Sequence, residues 1–147
     1  MNAKDLIRDF VSQLDSTHLS AVDDFFRPDC KFFLPGSNEA VDCDQFKSFI
    51  GMLYSAFPDL RHTIVEQIGE EDNIVTLLTV RGTHLGSFLW IPRTGKEVVF
   101  TDVVVTRLRQ GKIAELNAQF DVLSILTQLG ALRAVEQGTA KTRLDVC

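Results

Sequence analysis

A chain of 147 residues, 45% hydrophobic with 11 Phe, buries about 70% of the surface that its unfolded form exposes, so a core needs neither disulfides nor a metal. The net charge of −5 supplies no basic face for phosphates and excludes nucleic acid as an expected partner. Three scattered cysteines, Cys30, Cys43 and Cys147, lack metal-ligand spacing and suit a reducing cytoplasm, and no stretch approaches the ~20 apolar residues of a membrane span.

The opening MNAKDLIRDF carries charges where a secretory signal needs an apolar run, so the expected location is cytoplasmic. From Ala3 to Leu14 the apolar Leu6, Ile7, Phe10, Val11 and Leu14 fall at helical spacing. Asp15 and Ser16 are placed to cap a second helix, which buries Leu19, Val22, Phe25 and Phe26 and stops at Pro28. Cys30 to Leu34 predicts a short strand closed by Pro35-Gly36. Asp42 or Asp44 caps a third helix with the stripe Phe46, Phe49, Ile50, Leu53, Tyr54 and Phe57, ended by Pro58.

There the period changes from helical to alternating. Arg61 to Gly69, Asn73 to His84, Glu97 to Leu108 and Lys112 to Phe120 predict four strands, and their short connections imply antiparallel neighbours. A last helix runs from Val122 to Leu132, with Gly130 near its end. The chain therefore reads as one domain over residues 1–134, of α+β class, followed by a polar tail over 135–147 expected to fray. The second and third of these strands are apolar on both faces, which predicts a cover for each: the N-terminal helices on one, a second subunit on the other, giving a homodimer or tetramer.

The segments Phe57-Pro-Asp-Leu60, Gly82-Thr-His-Leu-Gly-Ser-Phe88, Ile91-Pro92, Thr94-Gly-Lys96, Gly111-Lys-Ile113, Glu115 and Phe120-Asp121 together resemble the SnoaL-like polyketide cyclases and ester cyclases, within the nuclear-transport-factor-2-like superfamily. The resemblance spans most of the chain from Phe57 to Gly130. It implies a cone-shaped α+β barrel: a curved antiparallel sheet and N-terminal helices enclosing an apolar pocket, with a short C-terminal helix. It also implies that the carboxylate at Asp121 acts as acid/base in an intramolecular aldol closure, without metal or cofactor. Leu116 and Asn117 stand where the family usually has His-Trp, and Trp90 and Arg93 where it more often has Gly and Pro.

Aldol closure needs a base for the proton alpha to a carbonyl and an acid for the new alkoxide, and one carboxylate can serve both steps. Asp121 is the first candidate, with an open alternative: it directly precedes Val122-Leu-Ser-Ile-Leu and suits a helix N-cap. Capping lowers a carboxylate pKa, whereas an apolar pocket raises it, so the two roles titrate differently. Period-2 geometry puts Asn117 and Gln119 on the face of Asp121, as candidate hydrogen-bonding partners for a substrate oxygen. Asp102 shares parity with Phe100 and Val104, a carboxylate on an apolar face that must be paired or functional. His84 shares parity with Val80 and Gly82 and is a catalytic candidate or a loop anchor. Tyr54 is placed to direct its hydroxyl into the pocket, and Phe88 and Trp90 to form a lid. His62 and Arg61 open a strand after the Phe57–Leu60 turn and Asp59 reads as a turn residue, with contact to a ligand the alternative for each.

The leading expectation is a cofactor-independent cyclase or isomerase acting on a small hydrophobic carbonyl compound. The alternative is a non-catalytic hydrophobic-ligand-binding or assembly module on the same fold. Dehydration or epoxide hydrolysis is a third possibility, for which His84, Asp102 and Arg81 supply the residue types.

Overall fold

In the computed structural model, which describes residues 2–132, the N-terminal periodicity winds into α1 (Ala3–Thr17), opened by the Asn2 side chain accepting the Asp5 amide at 2.8 Å. Its apolar stripe buries Ile7, Phe10 and Leu14. His18, at φ 55°, turns the chain into α2 (Leu19–Phe25). Asp15 caps nothing there; its carboxylate points elsewhere, as described below. β1 (Phe26–Phe33) starts earlier than its sequence suggests and contains Pro28, which is tolerated because β1 is an edge strand whose register slips between Phe26 and Lys31.

α3 (Cys43–Ala56) begins with a reciprocal capping box, Asp42 accepting the Gln45 amide at 2.8 Å and the Gln45 side chain accepting the Asp42 amide at 2.9 Å. The meander follows as β2 (Arg61–Glu70), β3 (Asn73–Thr83), β4 (Glu97–Arg109) and β5 (Lys112–Phe120), and α4 (Val122–Gln128) leaves the end of β5. The sheet order is β1-β5-β4-β3-β2. β2 to β5 pair antiparallel, but β1 runs parallel to β5, so the curved sheet is mixed and unclosed rather than wholly antiparallel. The long α3 crossover carries the chain from β1 to the far edge, and the meander returns to β1 last.

Burial alternates along the central strands. Ile74, Thr76, Leu78 and Val80 of β3, Val98, Phe100, Asp102 and Thr106 of β4, and Leu116 and Ala118 of β5 are buried under α1 and α3. The opposite face presents Leu77, Val103 and Val105 half-buried and Val75 exposed. No helix among the described residues is long and apolar enough to cross a membrane. The polar tail expected over 135–147 lies outside the described residues.

Two of the sequence motifs grip each other. Asp59 accepts from the Thr83 amide and the Thr83 hydroxyl, both at 2.7 Å, latching the Phe57–Leu60 turn to the end of β3. A Cβ on Gly82 would sit 3.1 Å from Phe57 and Leu60, and one on Gly86 would run into the Ser55 carbonyl. The Leu85 and Gly86 amides instead donate to the Ala56 carbonyl, at 3.0 and 3.1 Å. Glycine is thus required at position 86 for backbone to meet backbone.

Candidate active site

α1 and α3 cross the concave face of the sheet and leave between them a cavity of about 70 Å³, measured as space open to the centre of a water molecule. Phe10, Leu53, Leu78, Leu116 and Phe120 make most of its wall apolar. Asp102 is the carboxylate on that wall. β4 directs it inward because Phe100, Asp102 and Val104 share parity, and it is 8% exposed with Oδ1 buried and without a hydrogen-bond partner. Burial pushes its pKa from the ordinary 3.8 up to about 6, against the opposing pull of the His62 charge and the Val103 amide. A carboxyl group in that state exchanges a proton near neutral pH.

His62 lines the same cavity from the start of β2, where it pairs with the inward-facing Val80. Asp15, near the C-terminal end of α1, holds it twice: Oδ2 accepts the His62 amide at 2.8 Å and Oδ1 meets Nδ1 at 2.7 Å. The Tyr54 hydroxyl donates to the same Oδ1 at 2.9 Å, and the His18 ring stacks on Tyr54 with centroids 3.9 Å apart. Burial raises the Asp15 pKa, but the hydrogen bonds and charge of His62, with the Tyr54 hydrogen bond, outweigh it and leave the carboxyl below its ordinary value. Burial and the Asp15 charge hold the Tyr54 phenol protonated, well above its ordinary value. On the outer side of this cluster lies an open groove of about 670 Å³, bounded by Arg8, Asp15, Asp59 and Arg61. Val11, Leu60 and His62 belong to the walls of both spaces.

The remaining candidates fall outside the cavity. Asp121 is exposed and caps α4, Oδ1 accepting the Ser124 amide at 2.9 Å. Asn117 and Gln119, expected to face inward with it, lie on the opposite face of β5 and hydrogen-bond each other at 3.2 Å. The apolar Leu116, Ala118 and Phe120 take the cavity side, because burying them gains more than burying two amides. Phe88 is buried, but it packs on Phe57 rather than roofing the cavity. Trp90 is 69% exposed at the tip of the turn between Phe88 and Ile91. His84 is fully buried as a loop anchor, its Nδ1 accepting the Thr94 amide at 3.1 Å while its backbone pairs with Gly95 and Lys96. Arg81 pairs with Glu97 at 2.7 Å on the surface. The cavity therefore unites Tyr54 and Asp102 of the expected set and adds His62, with Asp15 behind it. Helix periodicity could not reveal Asp15, whose partner lies 47 residues away.

Among the described residues no three His, Cys, Asp or Glu side chains are grouped as a metal site. A family profile described as SnoaL-like polyketide cyclase matches residues 4–129. No curated protein matches the chain at a significant level. Among solved structures, AclR of Streptomyces galilaeus, a candidate hydroxylase, is 26% identical with a TM-score of 0.82, over 88% of this chain and 96% of that one. IdmH of Streptomyces antibioticus, a candidate polyketide cyclase, is 25% identical with a TM-score of 0.79, over 88% and 99%. A SnoaL-like polyketide cyclase of Agrobacterium tumefaciens shares the fold at 18% identity and a TM-score of 0.74, over 88% and 99%.

Proposed function

Because the chain belongs to the SnoaL-like polyketide cyclase family, we propose that it is a cofactor-independent cyclase of a small hydrophobic carbonyl compound, with Asp102 as the acid/base. The observation that carries this reading is the unpartnered Asp102 oxygen in an apolar cavity. Ionised, Asp102 takes the proton alpha to a carbonyl, and the C–H electron pair becomes an enolate that conjugation with a neighbouring carbonyl stabilises. The enolate carbon attacks a second carbonyl carbon of the same molecule, whose π electrons become an alkoxide. A proton from the site then completes the aldol. Low surrounding polarity strengthens the base and keeps water from competing.

In this reading Asp121 serves as the cap of α4, its carboxylate accepting the Ser124 amide. The cavity of about 70 Å³ is well below the roughly 300–1,000 Å³ of ligand pockets, so a substrate of that size enters only as the walls give way. The outer sheet face, with Val75, Leu77, Val103 and Val105, is the surface for a second copy of the chain.

The test is turnover of a panel of hydrophobic poly-β-keto esters, followed by mass spectrometry of cyclised products. Asp102→Asn is expected to abolish cyclisation and Asp121→Asn to retain it. Cyclisation by Asp102→Asn at the wild-type rate sinks the assignment. A non-catalytic ligand-binding module on the same fold is favoured by one observation, the engagement of Asp121 as a cap. That reading predicts saturable binding of the esters without any product.

A further inference from the structure

The cavity and the groove beside it are separated by a single titratable side chain. His62 lines both spaces, with only Val11 and Leu60 sharing that position. Its ring is fixed from behind: Asp15 is held below the ordinary carboxylate pKa, and an ionised carboxylate only accepts hydrogen bonds, so the 2.7 Å contact requires the proton on Nδ1. The neutral ring therefore leaves Nε2 as a lone-pair acceptor, and the protonated ring offers Nε2–H as a donor. Of the other polar groups on the cavity wall, the Tyr54 hydroxyl is committed to Asp15, the Thr106 hydroxyl donates to the Ile74 carbonyl, and the Thr76 hydroxyl, which accepts from Gln67, does not titrate in this range. Hence the imidazole is the cavity group able both to give and to take a proton alongside Asp102.

We propose that His62, oriented by Asp15, is the second acid/base of this site, protonating the alkoxide while Asp102 takes the alpha proton. The assignment rests on the cyclase reading of Asp102. In the cycle, the alpha C–H bond breaks and its proton goes to the Asp102 carboxylate. The new C–C bond forms, and the alkoxide takes the proton from Nε2 of the imidazolium. Asp102, now a carboxylic acid, returns its proton to the neutral Nε2 directly or through one cavity water. The starting state is restored without any external acid, base or redox partner. The site works while Asp102 is ionised and His62 protonated, which gives a bell-shaped pH profile. The charged and titratable groups around His62 are Asp15 and Arg8 from α1, His18 at the α1–α2 junction, Tyr54 from α3, Asp59 and Arg61 beside it in the chain, and Asp102 from β4.

The decisive measurement uses protons alone as the probe and needs no substrate. Imidazole-nitrogen NMR of 15N-His protein is recorded from about pH 4 to about pH 9 for wild type, Asp15→Asn and Asp102→Asn. Neutral His62 is expected with its hydrogen on Nδ1, in the wild type and in Asp102→Asn alike, because Asp15 faces that nitrogen at 2.7 Å. A neutral ring protonated on Nε2 in the wild type overturns the proposal. In kinetics, His62→Gln is expected to lower kcat by about 10²–10⁴-fold with little change in KM and to erase the alkaline limb of the profile. Wild-type kcat in His62→Gln also overturns it. If His62→Gln does not fold, Asp15→Asn, which keeps the imidazole, carries the kinetic arm through a lowered kcat and a displaced alkaline limb. Failure of the Asp102 reading is separate, since it shows as turnover in Asp102→Asn whatever the His62 spectrum does.

Discussion

Replacing Asp102 with Asn should make the protein more stable at neutral pH, by an amount that depends on pH in a defined way. The folded carboxyl has its pKa raised from 3.8 to about 6, so folding favours its protonated form. At about 1.4 kcal/mol per unit, that rise corresponds to about 3 kcal/mol. The sign follows from linkage: the contribution is fully present below pH 3.8, declines as pH rises through the window to about 6, and is absent above it. Asn cannot ionise, so the variant lacks this term while sharing every other titrating group with the wild type. Urea unfolding of both proteins at several pH values isolates the difference. The stability of Asp102→Asn minus that of wild type should climb by about 3 kcal/mol between acid and neutral solution. The amide also alters local hydrogen bonding, but that offset does not vary with pH. A difference curve without slope across the window would refute the claim that burial strains the ionised Asp102.

Other substitutions probe other parts of the structure. Asp121→Ala removes the cap on Ser124 and should cost about 1 kcal/mol in chemical unfolding without lowering turnover. Gly86→Ala forces a Cβ against the Ser55 carbonyl and should destabilise by about 1–3 kcal/mol or more, read as a lowered urea midpoint. The double change Val103→Lys and Val105→Lys on the outer face should convert a homodimer to a monomer in sedimentation velocity while leaving the circular dichroism unchanged; a wild type that sediments as a monomer would remove the basis for that partner.

Period-2 alternation made the four meander strands legible, and for β5 the bounds Lys112–Phe120 coincide with the sequence reading. The same periodicity exposed Asp102, since a carboxylate in the parity of Phe100 and Val104 has nowhere to go but inward. It misled at Asn117 and Gln119 because the inward face of β5 was inferred from Asp121. That residue sits past the end of the strand, where helix capping rather than pleating sets the side-chain direction. Anchoring parity on Leu116, Ala118 and Phe120 gives the observed face. Asp15 and His62 were beyond local pattern, for a helix-terminal Asp and a histidine after a turn each have an adequate local explanation. Only the docking of α1 onto β2 brings them within 2.7 Å. The parallel pairing of β1 with β5 was hidden for the same reason, joining segments at opposite ends of the chain that carry no turn between them.

The anchoring of the β3–β4 connection has a consequence for how sequences on this scaffold can diverge. His84 ties its own backbone to Gly95 and Lys96 and its ring to Thr94, while Leu85 and Gly86 are pinned to Ala56. Both roots of the connection are thus fixed independently of its tip. Leu89 at φ 53° and the exposed Trp90 are freed from any duty to the core or the cavity. The tip is therefore a place where length and composition can be exchanged wholesale, by drift or by grafting, with the chemistry beneath left undisturbed.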